Sequence, residues 1–187
     1  MTQREGGEAA RLEAVHETER LRIEPLAARH AEELFEPLSD PALYRHVPRG
    51  PPASLDELRA RFRRLSSRRS PDGAERWLNW VLRAGARPVG WIQATARGDG
   101  AAEIAYSVFA GAQRRGYATE GVAWMIGWLR SALGVAHLRA TVDPRNAASI
   151  ALLGRLGFHL VETVPAPAPI GGAPAEEHIF VLGAPPA

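Results

Sequence analysis

The stretch Gln113-Arg114-Arg115-Gly116-Tyr117-Ala118-Thr119-Glu120-Gly121 constrains this chain more than any other. It follows an alternating apolar run, Glu103-Ile104-Ala105-Tyr106-Ser107-Val108-Phe109. It precedes the strongest helical pattern in the sequence, Val122, Met125, Ile126, Leu129 and Leu133. A strand therefore hands over to a helix here. The first amides of a helix have no carbonyl partner within it and the dipole is positive at that end, so the junction suits an anion. Gly116 lets the backbone approach a ligand closely, Ala118 is nearly as small, and Arg114 and Arg115 add positive charge. A diphosphate is the natural guest. An ordinary glycine-containing turn has the same local pattern, so the assignment needs support from elsewhere in the chain.

Two other phosphate motifs are excluded. Gly111 and Gly116 have the spacing of the two P-loop glycines, but Tyr117 and Ala118 stand where Lys and Ser/Thr belong, and the sequence contains no Lys. There is no Gly-x-Gly-x-x-Gly fingerprint either. A length of 187 residues fits one domain, and a formal charge of +2 lacks the strong positive field usual in nucleic-acid binders. With no Cys there is neither a disulfide framework nor a thiol nucleophile, and the 6 His residues lack metal-ligand spacing, so no metal is expected. No apolar run reaches membrane-spanning length and no signal peptide is visible, so a soluble cytoplasmic protein is expected.

Along the chain, residues 1–17 read as a flexible extension, 18–183 as a single domain and 184–187 as a tail. Leu21, Ile23 and Leu26 mark a first strand, and Ala27 to Ser39 a helix that Asp40-Pro41 breaks. Tyr44 to Pro52 is a Pro-rich connection. Ser54 is an N-cap, with Glu57 completing a capping box for a second helix striped by Leu55, Leu58, Phe62 and Leu65. Its arginines, from Arg59 and Arg61 to Arg68 and Arg69, suit either an RNA surface or a solvated face. Trp77 to Arg83, Pro88 to Ala96 and Ala102 to Phe109 form an antiparallel meander, joined by short Gly-containing turns. Ala118 to Leu133 is the long helix, on which Trp124 and Trp128 are core or dimer contacts. His137 to Val142 is the next strand, parallel to its predecessor because a helix joins them. A helix over Asn146 to Leu156 and strands Phe158 to Val164 and Glu177 to Leu182 complete a mixed α/β sheet with helices on both faces.

The Gln/Arg-x-x-Gly-x-Gly/Ala pattern at Gln113 to Ala118 resembles the acyl-CoA pyrophosphate loop of the GCN5-related N-acetyltransferases, the GNAT superfamily. A second segment supports the likeness: Asn146-Ala147-Ala148-Ser149 followed by Leu156-Gly157-Phe158 is similar to that family's Asn-x-x-Ser and Leu-Gly-Phe. Glu103-Ile104-Ala105-Tyr106 and Gly116-Tyr117-Ala118-Thr119-Glu120 most resemble the RimJ/RimL branch. The likeness covers roughly residues 18–183. It implies the GNAT acyl-CoA N-acyltransferase fold, a mostly antiparallel sheet in which the one parallel pair, Ala102 to Phe109 and His137 to Val142, splays into a slot for pantetheine.

The resemblance also implies a reaction, acetyl transfer from acetyl-CoA to a primary amine, of either a small molecule or a protein N-terminus. Val108 and Phe109 would offer backbone contacts to pantetheine. Gln113, Arg114, Arg115, Gly116, Tyr117, Ala118 and Thr119 would hold the pyrophosphate. Asn146 would lie beside the pantetheine or act as a helix N-cap. Glu103 is the candidate base, or else a Glu on an exposed strand face. Many relatives carry a thiolate-protonating Tyr where this chain has Leu153, which leaves Ser149 or water for that role. His137, His159 and His178 are further candidates for proton shuttling. A non-catalytic acyl-CoA sensor and an Arg-rich RNA-associated protein are the competing readings, and a homodimer is compatible with all of them.

Overall fold

The computed structural model describes residues 11–170 and 172–183. The expectations for residues 1–10 and for the tail 184–187 lie outside the described residues. One sheet runs through the molecule in the order β1-β2-β3-β4-β5-β6-β8-β7. Its strands are β1 (His16–Glu17), β2 (Arg22–Pro25), β3 (Glu75–Ala84), β4 (Arg87–Arg97), β5 (Ala101–Val108), β6 (His137–Val142), β7 (His159–Pro165) and β8 (Glu176–Leu182). The helices are α1 (Ala31–Leu38), α2 (Leu55–Leu65), α3 (Tyr117–Leu133) and α4 (Ala147–Arg155). Every neighbouring strand pair is antiparallel except β5 and β6, which α3 connects.

Alternation along β3 explains why both faces of the sheet are covered. Leu78, Trp80 and Leu82 point to one side and pack with Val122, Met125 and Leu129 of α3 and with Leu152 and Leu153 of α4. Val81 points to the other side, against Leu34 and Leu38 of α1 and Leu58 and Phe62 of α2. Each fully buried aliphatic or aromatic side chain of this kind contributes roughly 1.5–3 kcal/mol relative to exposure. Close contact between β4 and β5 depends on Gly90, where an added Cβ would fall 2.3 Å from the Ser107 carbonyl oxygen. No helix of the described residues is long and apolar enough to cross a membrane.

Three local expectations change. The helix expected over Ala27 to Ser39 begins as a 3-10 turn at Ala28–His30, where His30 Nδ1 accepts the Ala27 N–H at 3.1 Å. At the start of α2, Ser54 Oγ accepts the Glu57 N–H at 3.1 Å, but Glu57 returns its bond to the Ala53 N–H at 2.7 Å rather than to Ser54. The end of the presumed flexible extension is built into the fold. His16 and Glu17 pair with Ile23 and Arg22, Leu12 packs on the main core, and Glu13 bonds Arg68 at 2.9 Å. This segment has no apolar periodicity of its own, so its order comes from a sheet edge and from Trp124, whose ring lies 5.0 Å from that of His16. Trp124 and Trp128 both meet Trp80 edge-on at 5.4 Å, which makes them internal contacts.

Candidate active site

The parallel pair opens as it runs. Ala101, Ala102 and Glu103 register with His137, Leu138 and Arg139, and beyond Glu103 the pairing stops while β5 continues to Val108 beside β4 alone. The unpaired half of β5 borders a cleft of about 800 Å³. Its walls also come from the first turn of α3, the start of α4 and the connection between α1 and α2. A slot edged by unpaired strand backbone fits an extended arm that carries amides of its own.

The loop at the α3 end of the cleft is held from outside by the N-terminal segment. Arg114 and Gly116 both adopt left-handed backbone, φ 60 and 82°, so the loop doubles back and starts α3 with Gly116 as N-cap. Gly116, Tyr117, Ala118, Thr119 and Arg114 all line the cleft. Arg20 donates to the Arg115 carbonyl at 2.8 Å, pairs with Glu120 at 2.6 Å, and lies 5.5 Å over the Tyr117 ring. Thr18 Oγ1 donates to Glu120 at 2.6 Å and the Arg20 N–H does so at 2.9 Å. Burial raises the Glu120 pKa, but these bonds from Thr18 and Arg20 outweigh it and the net shift is downward. The loop is thereby fixed before any ligand arrives, which lowers the ordering cost of binding. Gln113 also lines the cleft, and its Nε2 donates to the Val108 carbonyl at 3.1 Å, engaging one of the slot's backbone groups. Arg115 and Phe109 are not on the lining, and Phe109 is buried against the α1/α2 cluster.

Where the slot meets α4, Asn146 is an N-cap: its Oδ1 accepts the Ser149 N–H at 3.1 Å, while the residue also lines the cleft. Leu153 is fully buried in the core. A phenol reaches this region from elsewhere. Tyr106, from the unpaired half of β5, places its hydroxyl 2.7 Å from Ser149 Oγ. Burial pushes its pKa up to about 12, against a smaller lowering by the Ser149 bond, so the phenol stays protonated at neutral pH. Its sequence position gave no sign of this role, since alternation along β5 placed Tyr106 with the apolar side chains Ile104 and Val108.

At the far end of the cleft the expected carboxylate stands back. Glu103 accepts from Thr141 Oγ1 at 3.4 Å and is absent from the lining, although Ala105 and Ser107 on the same strand face are part of it. Across β6, Glu177 has a raised pKa, first because of burial and then because of the Glu103 and Asp143 charges. An imidazole does line the cleft. His46, in the Pro-rich connection, lies with Nδ1 3.4 Å from Asp143 Oδ2. The Asp143 side chain is wholly out of water and takes further bonds from Arg145, at 2.6 Å from Nη2 and 2.8 Å from the backbone N–H. The Arg145 side chain, together with its backbone and His46, holds Asp143 down at about 2 against the cost of burial. Sequence reasoning flagged neither His46 nor Asp143, and no local pattern joins residues 97 positions apart. His137, His159 and His178 do not line the cleft; His178 Nδ1 is 2.9 Å from Thr163 Oγ1.

The acetyltransferase (GNAT) domain model matches residues 20–159, and the chain belongs to that family. Its fold is that of the RimJ and RimL enzymes within it. The ribosomal-protein-S5-alanine acetyltransferase of Vibrio fischeri superposes with a TM-score of 0.78 at 18% identity, covering 90% of this chain and 96% of that one. Mycobacterium smegmatis RimJ in complex with CoA-disulfide gives 0.77 at 20% identity, covering 88% and 82%. RimL, described as a ribosomal L7/L12 α-N-protein acetyltransferase in complex with coenzyme A, gives 0.81 at 15% identity, covering 90% and 97%. No curated protein sequence matches the chain.

Proposed function

We propose that this protein is an acetyl-CoA-dependent N-acetyltransferase that acts on a primary amine while both substrates are bound. The observation that carries the reading is the slot itself. It combines β5 backbone left unpaired beyond Glu103, a rigid left-handed loop at a helix N-terminus, and a paired Tyr106 and Ser149 between that loop and an open acceptor end. Acetyl-CoA would supply the acetyl thioester. Arg114, Gly116, Tyr117, Ala118 and Thr119 hold the pyrophosphate, with Arg115 contributing its backbone and charge from behind. Val108 and Asn146 flank the pantetheine arm, whereas Phe109, whose N–H goes to the Val89 carbonyl and whose own carbonyl takes the Ala112 N–H, stays buried behind it. Ser149 donates to the departing sulfur, and Tyr106 holds the serine hydroxyl in place from the opposite wall. Orientation of both reactants in one slot supplies much of the acceleration, because well-placed groups behave as if at effective concentrations of about 10⁵ M or more. Glu103, below the cleft, lends negative charge that favours a cationic amine and reaches it only through solvent.

A protein N-terminal amine is the acceptor class favoured by the likeness to enzymes described as ribosomal-protein acetyltransferases. A small-molecule amine is the alternative. The sensor reading draws on Leu153, which leaves the usual acid position on α4 apolar; the Tyr106 hydroxyl, 2.7 Å from Ser149 Oγ, offers a phenol from strand β5 instead and so favours the enzyme. The RNA reading is weakened at two of its arginines: Arg59 of α2 is bonded to Glu32 and to Asp56, each at 2.8 Å, and Arg68 to Glu13 at 2.9 Å. The test is release of free thiol from acetyl-CoA across a panel of N-terminal peptides, polyamines and amino sugars. Amine-dependent release supports the enzyme. Tight acetyl-CoA binding with no release across the panel supports the sensor.

A further inference from the structure

We infer that His46, oriented by Asp143, is the base that accepts the proton of the amine substrate; this rests on the acetyltransferase reading above. Asp143 is ionised, its side chain is shut away from water, and its oxygens are already served by Arg145. The remaining approach to Oδ2 is made by His46 Nδ1 at 3.4 Å. A carboxylate on that side fixes the tautomer: the proton sits on Nδ1, donated to Asp143, and the lone pair is left on Nε2. No protein partner meets Nε2 among the described residues, and His46 lies on the wall of the cleft that also holds Tyr106 and Ser149. An imidazole with one nitrogen anchored to a buried carboxylate and the other free in a substrate cleft is built to take a proton. Glu103, the other nearby carboxylate, is turned to Thr141 and stands off the lining.

The proton count closes. An ammonium substrate gives up two protons on becoming an amide. The first passes to His46 Nε2 and frees the nitrogen lone pair, which forms the new bond to the acetyl carbon as the carbon–sulfur bond breaks. The second leaves the nitrogen as the addition product collapses and replaces, through solvent in the cleft, the proton that Ser149 gives to the departing thiolate. His46 then returns its proton to solvent through the open mouth of the cleft. Arg45 and Arg49 of the same connection line the cleft with His46, and Arg145 neutralises Asp143 behind the imidazole.

The decisive variant is His46→Asn. Its amide nitrogen can keep the bond to Asp143 and so keep the connection in place, but it carries no basic nitrogen. Turnover of an amine at saturating acetyl-CoA should fall by about 10²-fold or more at neutral pH. The thermal shift given by acetyl-CoA should be unchanged. Raising the pH should recover part of the rate, because more of the amine arrives already deprotonated. A His46→Asn protein with the wild-type rate and pH profile overturns the assignment and leaves the acetyltransferase reading standing. An equal loss at every pH also overturns it, since that is the mark of a misplaced wall rather than a missing base. Wild-type protein that binds acetyl-CoA and acetylates no amine removes both readings together.

Discussion

The Tyr106 hydroxyl lies 2.7 Å from Ser149 Oγ, bridging the slot from strand β5 to helix α4. The bridge joins two elements that share no backbone pairing, and it puts a phenol beside the serine in a chain whose Leu153 leaves the family's usual phenol position apolar. Tyr106→Phe removes only the hydroxyl. Turnover should fall by about 10- to 10²-fold with little change in acetyl-CoA binding, and Ser149→Ala should cost at least as much. Because the two act as a unit, the double variant should be scarcely slower than Ser149→Ala alone. Additive losses, measured as initial rates of thiol release, would separate the two roles.

Gly116→Val tests the anion end. The position has φ 82°, and a Cβ there would fall 3.0 Å from Arg20 Nη2, the group that clamps the loop. Valine is strained at such a φ and displaces the clamp. Acetyl-CoA should raise the Tm of the wild type and lose most of that shift in the variant, while the unliganded variant still unfolds cooperatively. A full ligand-induced shift in Gly116→Val would sink the pyrophosphate assignment.

Glu103→Gln measures what a carboxylate behind the cleft contributes. The isosteric amide keeps the Thr141 contact and removes the charge, so the expected loss is about tenfold or less, appearing mainly as a higher KM for a cationic amine. A loss of about 10²-fold in kcat that high pH repairs, alongside an unaffected His46→Asn, would make Glu103 the base.

Asp143 makes stability depend on pH at its own address. Its pKa is about 2 in the folded protein, below the ordinary 3.8. A depressed carboxyl gives stability that is complete above the unfolded value and drains away as the pH falls toward the folded one. The difference corresponds to ~2 kcal/mol at neutral pH, with about half of it gone by pH 3. Asp143→Asn should therefore be destabilised by a similar amount at pH 7 and 5 in urea unfolding, and the gap to the wild type should narrow at pH 3. A gap that stays constant down to pH 3 would show that the charge is not what stabilises.

Much of this protein follows from local pattern. The period-two run of β5, the helical stripe of α3 and the glycine between them are set by residues within a few positions of one another. Their physics is short-ranged: side-chain alternation, unpaired first-turn amides, and a left-handed φ at Gly116. The mixed sheet and its parallel pair followed from the order of elements, because a helical crossover leaves little choice of direction. The turn at Gly116 and the Asn146 cap were legible for the same reason.

Only the tertiary structure decided which side chains meet across the cleft. His46 and Asp143 come from segments with no shared periodicity, as do Tyr106 and Ser149, and each pair depends on where β5 and β6 part. The divergence also settles that Ala105, and not Glu103, lies on the lining. Arg20 and Thr18 reach Glu120 because a sheet edge captured a segment with no apolar face. Sequence periodicity records which face of an element is buried, whereas the distance between two faces is fixed by packing of the whole domain, and the chemistry of this site depends on that distance.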